Sequence, residues 1–319
     1  MTAFIAPNLD DIWRAATRIA PHAQRTPVLR SHSLEALVGA ELHFKCENFQ
    51  RIGAFKFRGA CNAVFALGEA DAARGVATHS SGNHAAALAL AARLRGIDAH
   101  VVMPRNTVRV KVESVRRLGA RIVLCEPSQQ ARAQALAEVV AATAAVEIHP
   151  FANAEVIAGQ GTATLELIRE VGRLDAVIAP ISGGGLLAGS AIAACGLCPG
   201  AEVFGAEPTG ADDAARSFAA GTLQTNASPD TISDGLRADL GAPNFAILQR
   251  LGTRILTVTD AETLAAMRLV YERLKIVIEP SCATPLAAII RYPSAFAGKR
   301  VGVILSGGNV DLDALKFST

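Results

Sequence analysis

The sequence predicts an α/β protein built on parallel β-sheets, and three observations lead to that prediction. Short apolar runs alternate with amphipathic stretches along most of the 319 residues, as in right-handed βαβ units. Half of the residues are hydrophobic, only 5% are aromatic and glycine occurs 27 times, which suits helices that pack closely on a sheet. The chain is long enough for one large domain or two modest domains with filled cores.

The N-terminal part predicts a helix, a strand and a second helix before the regular alternation begins. Asn8, with Asp11 three residues on, can cap a helix that runs through Thr17. The run 41–47 has the composition of a β-strand, and 59–67 is predicted as a helix. The segment that joins them is therefore expected to be a strand-to-helix loop.

Two runs of alternating strands and helices follow. The first predicts strands at 76–79, 99–103 and 121–125 and helices at 83–94, 108–118 and 128–142. The second, which starts near residue 149, predicts strands at 176–181, 202–206, 254–258 and 300–305 and helices at 156–171, 187–195, 262–275 and 283–290. No linker-like or low-complexity segment separates the two runs, so composition alone does not divide them into domains.

Composition also excludes several classes of partner. The net charge is +2, and no basic stripe is interleaved with aromatic residues, so we expect no nucleic-acid surface. The N-terminus has no basic region before an apolar core and does not resemble a secretory signal. The longest uncharged run, 176–201, is interrupted by Pro180 and by glycines, so it predicts no membrane span. We expect a soluble, cytoplasmic protein whose partner is a small molecule.

Lys56 lies between Phe55 and Phe57, with glycines at positions 53 and 59. An aromatic neighbourhood removes water from an ammonium group, which lowers its pKa and favours the free amine. A free amine is the form that makes a Schiff base with an aldehyde cofactor. The alternative is a surface lysine whose aliphatic stem lies along the aromatic rings.

Three consecutive glycines follow the strand predicted at 176–181. The stretch from Ser182 to Leu186 reads Ser-Gly-Gly-Gly-Leu and leads into a helix without charged residues. Glycines let backbone N–H groups turn inward, and the start of the following helix carries a partial positive charge. The pattern favours a phosphate site over a flexible loop.

Two further stretches place polar groups at the ends of predicted elements. Ser80 to His84 reads Ser-Ser-Gly-Asn-His and joins a strand to a helix, where an ordinary N-cap is the alternative to a binding loop. Glu207 and Asp213 are carboxylates six positions apart with backbone carbonyls between them, a donor set that hard divalent cations accept. The alternative at Asp213 is a solvated helix start.

The order and spacing of these stretches, together with Ser306-Gly-Gly-Asn309, are those of pyridoxal-phosphate enzymes of the tryptophan-synthase-β type. From Thr26 to Asn309 the chain most resembles the serine racemase and threonine/serine dehydratase family. The resemblance implies a fold of two parallel-sheet βαβ domains with the cofactor in the cleft between them. It implies that residues 75–150 form a small domain inserted into a large pyridoxal-phosphate-binding domain made of residues 1–74 and 151–319.

The resemblance also implies the cofactor contacts. Lys56 would form the imine with pyridoxal 5'-phosphate, Phe55 would lie beside it, and Asn83 would meet the ring hydroxyl. Ser306 would face the pyridine nitrogen, and a serine there leaves the ring nearly neutral, which suits loss of a β-hydroxyl better than transamination. Relatives often have a fourth glycine where Ser182 stands, and its hydroxyl could add a phosphate contact. The phosphate loop would consist of Ser182, Gly183, Gly184, Gly185 and Leu186.

The implied substrate contacts lie in two places. Backbone amides of one loop would hold the substrate carboxylate, and Ser81 would lie on the ring face opposite Lys56. Arg132 would reach the distal end of a dicarboxylic substrate, because a guanidinium suits a carboxylate; a surface helix arginine is the alternative. The substrate loop comprises Ser80, Ser81, Gly82, Asn83 and His84.

A metal site is implied as well. Family members carry magnesium or calcium on the residues that match Glu207, Ala211 and Asp213, so we expect Mg²⁺, or Ca²⁺ or Mn²⁺, at this place. Ala211 would contribute its carbonyl oxygen. The ion would be structural or activating, since nothing in the sequence brings it to the substrate.

Two departures from the family pattern leave the substrate open: Phe151 stands where relatives usually have asparagine or aspartate, and Ala238 replaces a serine. We expect a lyase that converts serine, threonine or 3-hydroxyaspartate to a 2-oxo acid and ammonia, and Arg132 favours the last. Lys56 and Ser81 together would instead allow an amino-acid racemase. A non-catalytic amino-acid-binding protein is the alternative outside enzymes. A homodimer is expected.

Overall fold

The computed structural model describes residues 4–107 and 109–312, with only the backbone of Val110, and this part of the chain forms ten strands and thirteen α-helices. The strands are β1 (Val28–Leu29), β2 (Glu41–Cys46), β3 (Val76–His79), β4 (Ala99–Pro104), β5 (Arg121–Cys125), β6 (Val146–Glu147), β7 (Ala176–Pro180), β8 (Glu202–Pro208), β9 (Arg254–Val258) and β10 (Arg300–Leu305). The helices are α1 (Leu9–Ile19), α2 (His32–Val38), α3 (Lys56–Ala66), α4 (Glu69–Ala72), α5 (Asn83–Arg95), α6 (Arg109–Arg117), α7 (Gln129–Thr143), α8 (Ala154–Val171), α9 (Gly185–Leu197), α10 (Asp213–Ala220), α11 (Ala242–Arg250), α12 (Asp260–Arg273) and α13 (Pro280–Arg291).

The strands form two sheets. One has six strands in the order β1-β2-β10-β7-β8-β9, and the other has four in the order β5-β4-β3-β6. All neighbours pair in parallel except β1 with β2. The four-stranded sheet takes its strands from 76–147, and the six-stranded sheet takes them from both sides of that range. The predicted α/β fold with parallel sheets is confirmed, while the domain boundaries at 74/75 and 150/151 stay predictions.

Helices cover both faces of the six-stranded sheet. One face packs against α1, α8 and α9 around a core that includes Ile157 and Leu187. The other packs against α12 and α13 around Phe204 and Met267. The strands β2, β7, β8 and β10 are buried along nearly their whole length, as expected for the inner strands of a parallel sheet covered on both sides.

The four-stranded sheet is less enclosed. Helices α3 and α5 pack on one face through Phe57 and Leu88, and α7 packs on the other through Leu136. Its outer strand β5 is mostly exposed.

The predicted element boundaries are close to the observed ones. β9 and β10 match residue for residue, and Asn8 with Asp11 forms the capping box at the start of α1, which runs two residues past Thr17. Helices α2, α4, α10 and α11 were not predicted from the periodicity, since each is short. The predicted helix start at Val108 lies outside the described residues, and α6 begins at Arg109.

No helix within the described ranges is both long enough and apolar enough to span a membrane. The apolar run 176–201 divides into β7, a glycine loop and α9, as predicted.

Candidate active site

The loop before Lys56 is tied to the segment that follows β10. The Phe55 amide donates to the Ser306 carbonyl at 2.9 Å, and the Gly308 amide donates to the Gly53 carbonyl at 2.9 Å. Lys56 is the first residue of α3. Parallel strands direct their carboxyl ends to one edge of a sheet, where ligands usually bind, and this pairing brings the loop of Lys56 to that edge beside Ser306.

The Lys56 amine lies in a confined environment. Its Nζ donates a hydrogen bond to the Pro150 carbonyl at 3.0 Å and lies 5.2 Å from the centre of the Phe55 ring. Burial lowers the pKa of Lys56 to about 8, although the Glu279 carboxylate acts in the opposite direction. A much larger share of the amine is therefore neutral near physiological pH than for a lysine in water.

The glycine loop contacts Phe151, the residue that follows Pro150. A β-carbon added at Gly183 would collide with the Phe151 ring, and one added at Gly185 would lie 3.1 Å from the Phe151 backbone. Gly184 has a φ of +88°, a conformation that favours glycine. The loop leads directly into α9, a helix of 13 residues whose N-terminal end attracts anions.

The Ser182 hydroxyl is hydrogen-bonded to the backbone of Ala238. Its Oγ donates to the Ala238 carbonyl at 2.8 Å and accepts a bond from the Ala238 amide at 3.1 Å. Its single hydrogen is therefore used within the chain. Ser182 thus ties the glycine loop to the segment around Ala238, and the extra phosphate contact from its hydroxyl stays a prediction.

The Ser80–His84 loop connects β3 to α5. The Ser80 Oγ accepts a bond from the Gly82 amide at 3.3 Å, and Asn83 is the first residue of α5. Asn83 is held on both sides, because its Nδ2 donates to Glu279 and its Oδ1 accepts from Asn309. Through Asn83, the Ser80–His84 loop therefore contacts Asn309 in the segment that follows β10.

His84 and His149 remain neutral in this environment. Burial, and then the charge of Lys56, lowers the pKa of His84 to about 3, and its Nε2 lies 3.1 Å from the Ile148 carbonyl. Burial lowers the pKa of His149 to about 4, and its Nδ1 accepts bonds from the amides of Phe151 and Ala152. An Nδ1 that accepts two bonds leaves the proton on Nε2. Both histidines are therefore neutral, and the contact of His84 with substrate stays a prediction.

Arg132 extends from α7, on the other face of the four-stranded sheet from α5. Its Nε is buried without a hydrogen-bond partner among the described residues. After burial, the positive charge of Arg132 is the second cause that lowers the pKa of His79, at the end of β3. The guanidinium is therefore near the loop that follows β3.

The residues expected to hold a metal are close together and buried. Glu207 and Asp213 are each 1% exposed, so the alternative of a solvated helix start is wrong, although α10 does begin at Asp213. Burial, reinforced by the charge of Asp213, raises the pKa of Glu207 to about 8, and burial raises that of Asp213. No lysine or arginine in the described ranges forms an ion pair with either one, so these oxygens suit a hard cation.

Sequence reasoning missed Glu279 and the contacts of Phe151. Glu279 is 5% exposed and lies one residue before α13, between Ile278 and Pro280. An acidic residue at a helix start is common, so no local signal distinguishes it. The place of Phe151 against the glycine loop likewise depends on residues about 30 positions away.

A cavity of about 1620 Å³ opens beside the Ser80–His84 loop. Its wall includes residues from α5 and α6 on one side and from the segments near Asp234 and Asn309 on the other. The lining includes Ser81, Gly82, Asn83, Lys111, Asp234 and Asn309. The cavity therefore lies between parts of the chain that belong to the two sheets.

These groups, a confined lysine amine, a glycine cradle at a helix N-terminus and a serine at the end of β10, fit pyridoxal phosphate. Residues 19–307 match the family model described as pyridoxal-phosphate dependent enzyme. The chain belongs to this family. The membership confirms the predicted class of enzyme and the predicted cofactor.

The relatives within this family are similar over almost their whole length. The chain is 51% identical to the beta-hydroxyaspartate dehydratase of Paracoccus denitrificans, over 98% of this chain and 99% of that protein. It is 43% identical to the L-threo-3-hydroxyaspartate ammonia-lyase of Saccharomyces cerevisiae, over 97% and 96%. The structure of maize serine racemase matches with a TM-score of 0.95 at 47% identity, over 97% and 95%. The fold is therefore that of the tryptophan-synthase-β-like members, as predicted.

Proposed function

We propose that this protein converts a β-hydroxy-α-amino acid to a 2-oxo acid and ammonia, and that it prefers 3-hydroxyaspartate to serine and threonine. The observation that carries the proposal is Arg132, whose Nε is buried without a partner among the described residues. An unpaired guanidinium near a substrate loop suits a second carboxylate. Two of the relatives, the Paracoccus dehydratase and the yeast ammonia-lyase, bear names that refer to hydroxyaspartate.

When bound, pyridoxal phosphate supplies an aldehyde for the substrate amino group and a conjugated ring that withdraws electrons from the α-carbon. Lys56 and Phe55 would lie beside its aldehyde, and Asn83 and Ser306 would face its ring. The phosphate would be held by backbone amides from Ser182 to Leu186 at the start of α9.

Lys56 Nζ is the group that would take the proton from the α-carbon. A pKa of about 8 leaves part of the amine neutral at pH 7 and half of it at pH 8. The Pro150 carbonyl orients Nζ through its hydrogen bond. The same amine, once protonated, can return a proton to the departing β-hydroxyl, so one group serves both transfers.

Two groups would hold the carboxylates of a dicarboxylic substrate. The Ser80–His84 loop leads into α5, whose N-terminal amides suit the α-carboxylate. Arg132 would bind the distal carboxylate in a forked arrangement. A substrate held at both ends is fixed in orientation over Lys56, which favours proton transfer to one defined atom.

We also propose a divalent cation, Mg²⁺ or in its place Ca²⁺ or Mn²⁺, on Glu207, Asp213 and the Ala211 carbonyl. Two neighbouring carboxylates whose pKa values are both raised by burial, with the charge of Asp213 adding to the shift at Glu207, are a reason to expect a compensating cation. The small domain at residues 75–150, the homodimer and the cytoplasmic location remain predictions.

A substrate panel tests the function. The purified, cofactor-loaded protein is assayed with serine, threonine and the four stereoisomers of 3-hydroxyaspartate, and oxo acid, ammonia and inverted enantiomer are measured together. We expect the highest kcat/KM with one hydroxyaspartate isomer and no activity in Lys56→Ala. Equal or better kcat/KM with serine would reject the proposed preference, and activity retained in Lys56→Ala would reject the mechanism.

Racemisation is the second candidate, favoured by Ser81 in the wall of the cavity and by the similarity to maize serine racemase. If Ser81 acts only on the face opposite Lys56, Ser81→Ala should reduce racemisation by about 10²–10⁴-fold. Dehydration of the L-substrate should persist. Equal losses in both reactions would mean that Ser81 belongs to the carboxylate-binding loop and serves neither face as an acid or base.

A further inference from the structure

Glu279 is a buried carboxylate at the edge of the site that the proposed reaction does not use. It is 5% exposed, and its backbone amide donates to the Gly307 carbonyl at 3.0 Å, one residue beyond Ser306. Although it occupies the N-cap position of α13, its side chain makes no capping bond. A β-carbon placed on Gly307 would come within 2.9 Å of Glu279 Oε1, so the carboxylate turns away from its own helix.

The Glu279 carboxylate meets Asn83 and Asn309. Asn83 Nδ2 lies 3.2 Å and 3.3 Å from the two carboxylate oxygens, and the Asn309 backbone amide also donates to Glu279. Asn309 Nδ2 in turn donates to Asn83 Oδ1 at 2.9 Å. The three residues form a closed hydrogen-bonded group, which we call the Asn83 clamp.

The clamp permits only one orientation of the Asn83 amide. If the amide were rotated by half a turn, its oxygen would face the Glu279 carboxylate and its NH₂ would face the NH₂ of Asn309. Both contacts would be repulsive when Glu279 is ionised, because an ionised carboxylate only accepts and an NH₂ group only donates. Burial, reinforced by the charge of Asp234, raises the pKa of Glu279 to about 7, so the ionised form prevails above pH 7, where the cofactor-binding measurements are made. One Asn83 N–H is used by Glu279, so the second N–H is the free donor.

We propose that Glu279 is a positioning residue that orients Asn83, so that the free N–H of Asn83 is presented to the ring oxygen of the cofactor. This inference rests on the proposed contact between Asn83 and the cofactor ring. Once Glu279 is ionised, burial makes the orientation strong, since a carboxylate in a dry environment holds its hydrogen bonds more tightly than one in water. The charged groups that act on Glu279 are Asp234, Lys111 and Lys56.

The test is a double-mutant cycle on cofactor binding. The dissociation constant of pyridoxal phosphate and the visible absorption spectrum of the bound cofactor are measured for the natural protein, Glu279→Ala, Asn83→Ala and the double variant. We expect each single variant to bind the cofactor about tenfold or more weakly and to shift the spectrum. We expect the double variant to be no worse than Asn83→Ala alone, because Glu279 acts through Asn83.

Two further variants separate orientation from a general loss of structure. Glu279→Gln keeps an acceptor for Asn83 and should restore the affinity to within about threefold. Glu155→Ala is the matched control, because Glu155 also accepts a bond from an asparagine, Asn62 Nδ2, at 2.8 Å, while its side-chain partners, Asn62 and Arg18, lie on α3 and α1; it should leave cofactor affinity and spectrum unchanged. Thermal unfolding of each cofactor-free variant reports whether the protein has folded.

The outcomes are distinguishable. Additive losses in the double variant, no rescue by Glu279→Gln, or an equal loss in Glu155→Ala would each overturn the role of Glu279. Loss in Asn83→Ala with none in Glu279→Ala would overturn this inference alone. If Asn83→Ala itself leaves affinity and spectrum unchanged, the proposed contact of Asn83 with the cofactor fails, and the inference fails with it.

Discussion

Arg58 and Arg132 have opposite surroundings. Arg58 lies two residues after Lys56, is fully buried and donates to Glu47 and Glu166 at 2.7–2.8 Å. Arg132 leaves its Nε buried without a partner among the described residues. A charge whose partners all come from the chain supports the fold, whereas a charge left without one is available to a ligand.

The buried charges that pair with one another form a network between α3, β2 and α8. Lys45 is also fully buried, with Nζ 2.8 Å from Glu166 and 2.6 Å from the Thr26 carbonyl. We call Lys45, Glu47, Arg58 and Glu166 the buried ion network. It holds α3, and therefore Lys56 at the start of that helix, against β2 and α8.

Arg132, Glu207 and Asp213 form no ion pair among the described residues, and we call them the unpaired charges. The oxygens of Glu207 and Asp213 accept hydrogen bonds from neutral groups only, namely the amides of Ala214, Ala215 and Leu240 and the side chain of Asn226. If this difference decides their roles, substitutions in the buried ion network should lower the free energy of unfolding. Substitutions of the unpaired charges should instead weaken the response to a cation or the activity on 3-hydroxyaspartate.

The largest effect is expected for Arg58→Met. Removal of the guanidinium leaves Glu47 buried without its partner, which costs about 3–5 kcal/mol of unfolding free energy. Urea unfolding measures the loss, with Arg58→Lys as a second variant if the first does not fold. Arg25→Met, which removes an exposed ion pair with Glu170, is the control and should change stability by about 0–1 kcal/mol. A loss below about 1 kcal/mol in Arg58→Met would contradict the structural role of the network.

The next effect concerns the cation. Removal of divalent ions by a chelator should lower the thermal stability, and Mg²⁺ or Ca²⁺ at about 100 times its dissociation constant should restore about 2.7 kcal/mol. Glu207→Gln should remove this response to the cation. If the chelated protein unfolds at the same temperature with and without added cation, Glu207 and Asp213 do not form a metal site.

Arg132→Met should separate substrate from stability. We expect kcat/KM for 3-hydroxyaspartate to fall by about 10–100-fold, the range for loss of a charge-assisted hydrogen bond. The value for serine and the unfolding free energy should change little, because no described residue depends on Arg132 Nε. The control is Arg105→Met, since Arg105 already pairs with Glu126 at the surface. Parallel losses for serine and 3-hydroxyaspartate would remove the basis for a distal carboxylate site.

The smallest effect is a difference in pH dependence. His149 has a folded pKa of about 4 against an ordinary value of 6.5, so the unfolded chain binds the extra proton between these values. Because the unfolded chain binds this proton more readily, His149 makes the free energy of unfolding fall as the pH drops from 6.5 towards 4. The loss is about 1.4 kcal/mol at pH 5.5. Glu166, whose pKa is lowered chiefly by its bonds with Arg58, should lose its contribution only below pH 4.5.

The variant His149→Asn tests this order in the cofactor-free protein. Asparagine can still accept the amide bonds of Phe151 and Ala152 but does not titrate. The fall in unfolding free energy between pH 7.5 and 5.5 should therefore be smaller by about 1.4 kcal/mol than in the natural protein. His32→Asn, at a residue whose side chain is 96% exposed, should not alter the fall. An identical fall in His149→Asn would show that the acid sensitivity has another origin.

The local pattern was enough to predict most of the fold. β9 and β10 end where the apolar runs end, and the capping pair Asn8 and Asp11 marks the start of α1. These features depend on residues within one turn or one strand of each other, so the sequence contains them directly. Lys56 and the three glycines were also found from their immediate neighbours in the sequence, whereas the role of Ser306 was implied by the family resemblance.

Only the tertiary structure decided which of these ends meet and which charges are paired. β10 lies between β2 and β7, and Glu279 reaches Asn83 across 196 positions. No periodicity of 2 or 3.6 residues carries such a contact. The same holds for Arg58 and Arg132: in the sequence Arg58 directly precedes a predicted helix and Arg132 lies within one, and their difference arises from burial and partners that exist only after the two sheets have folded.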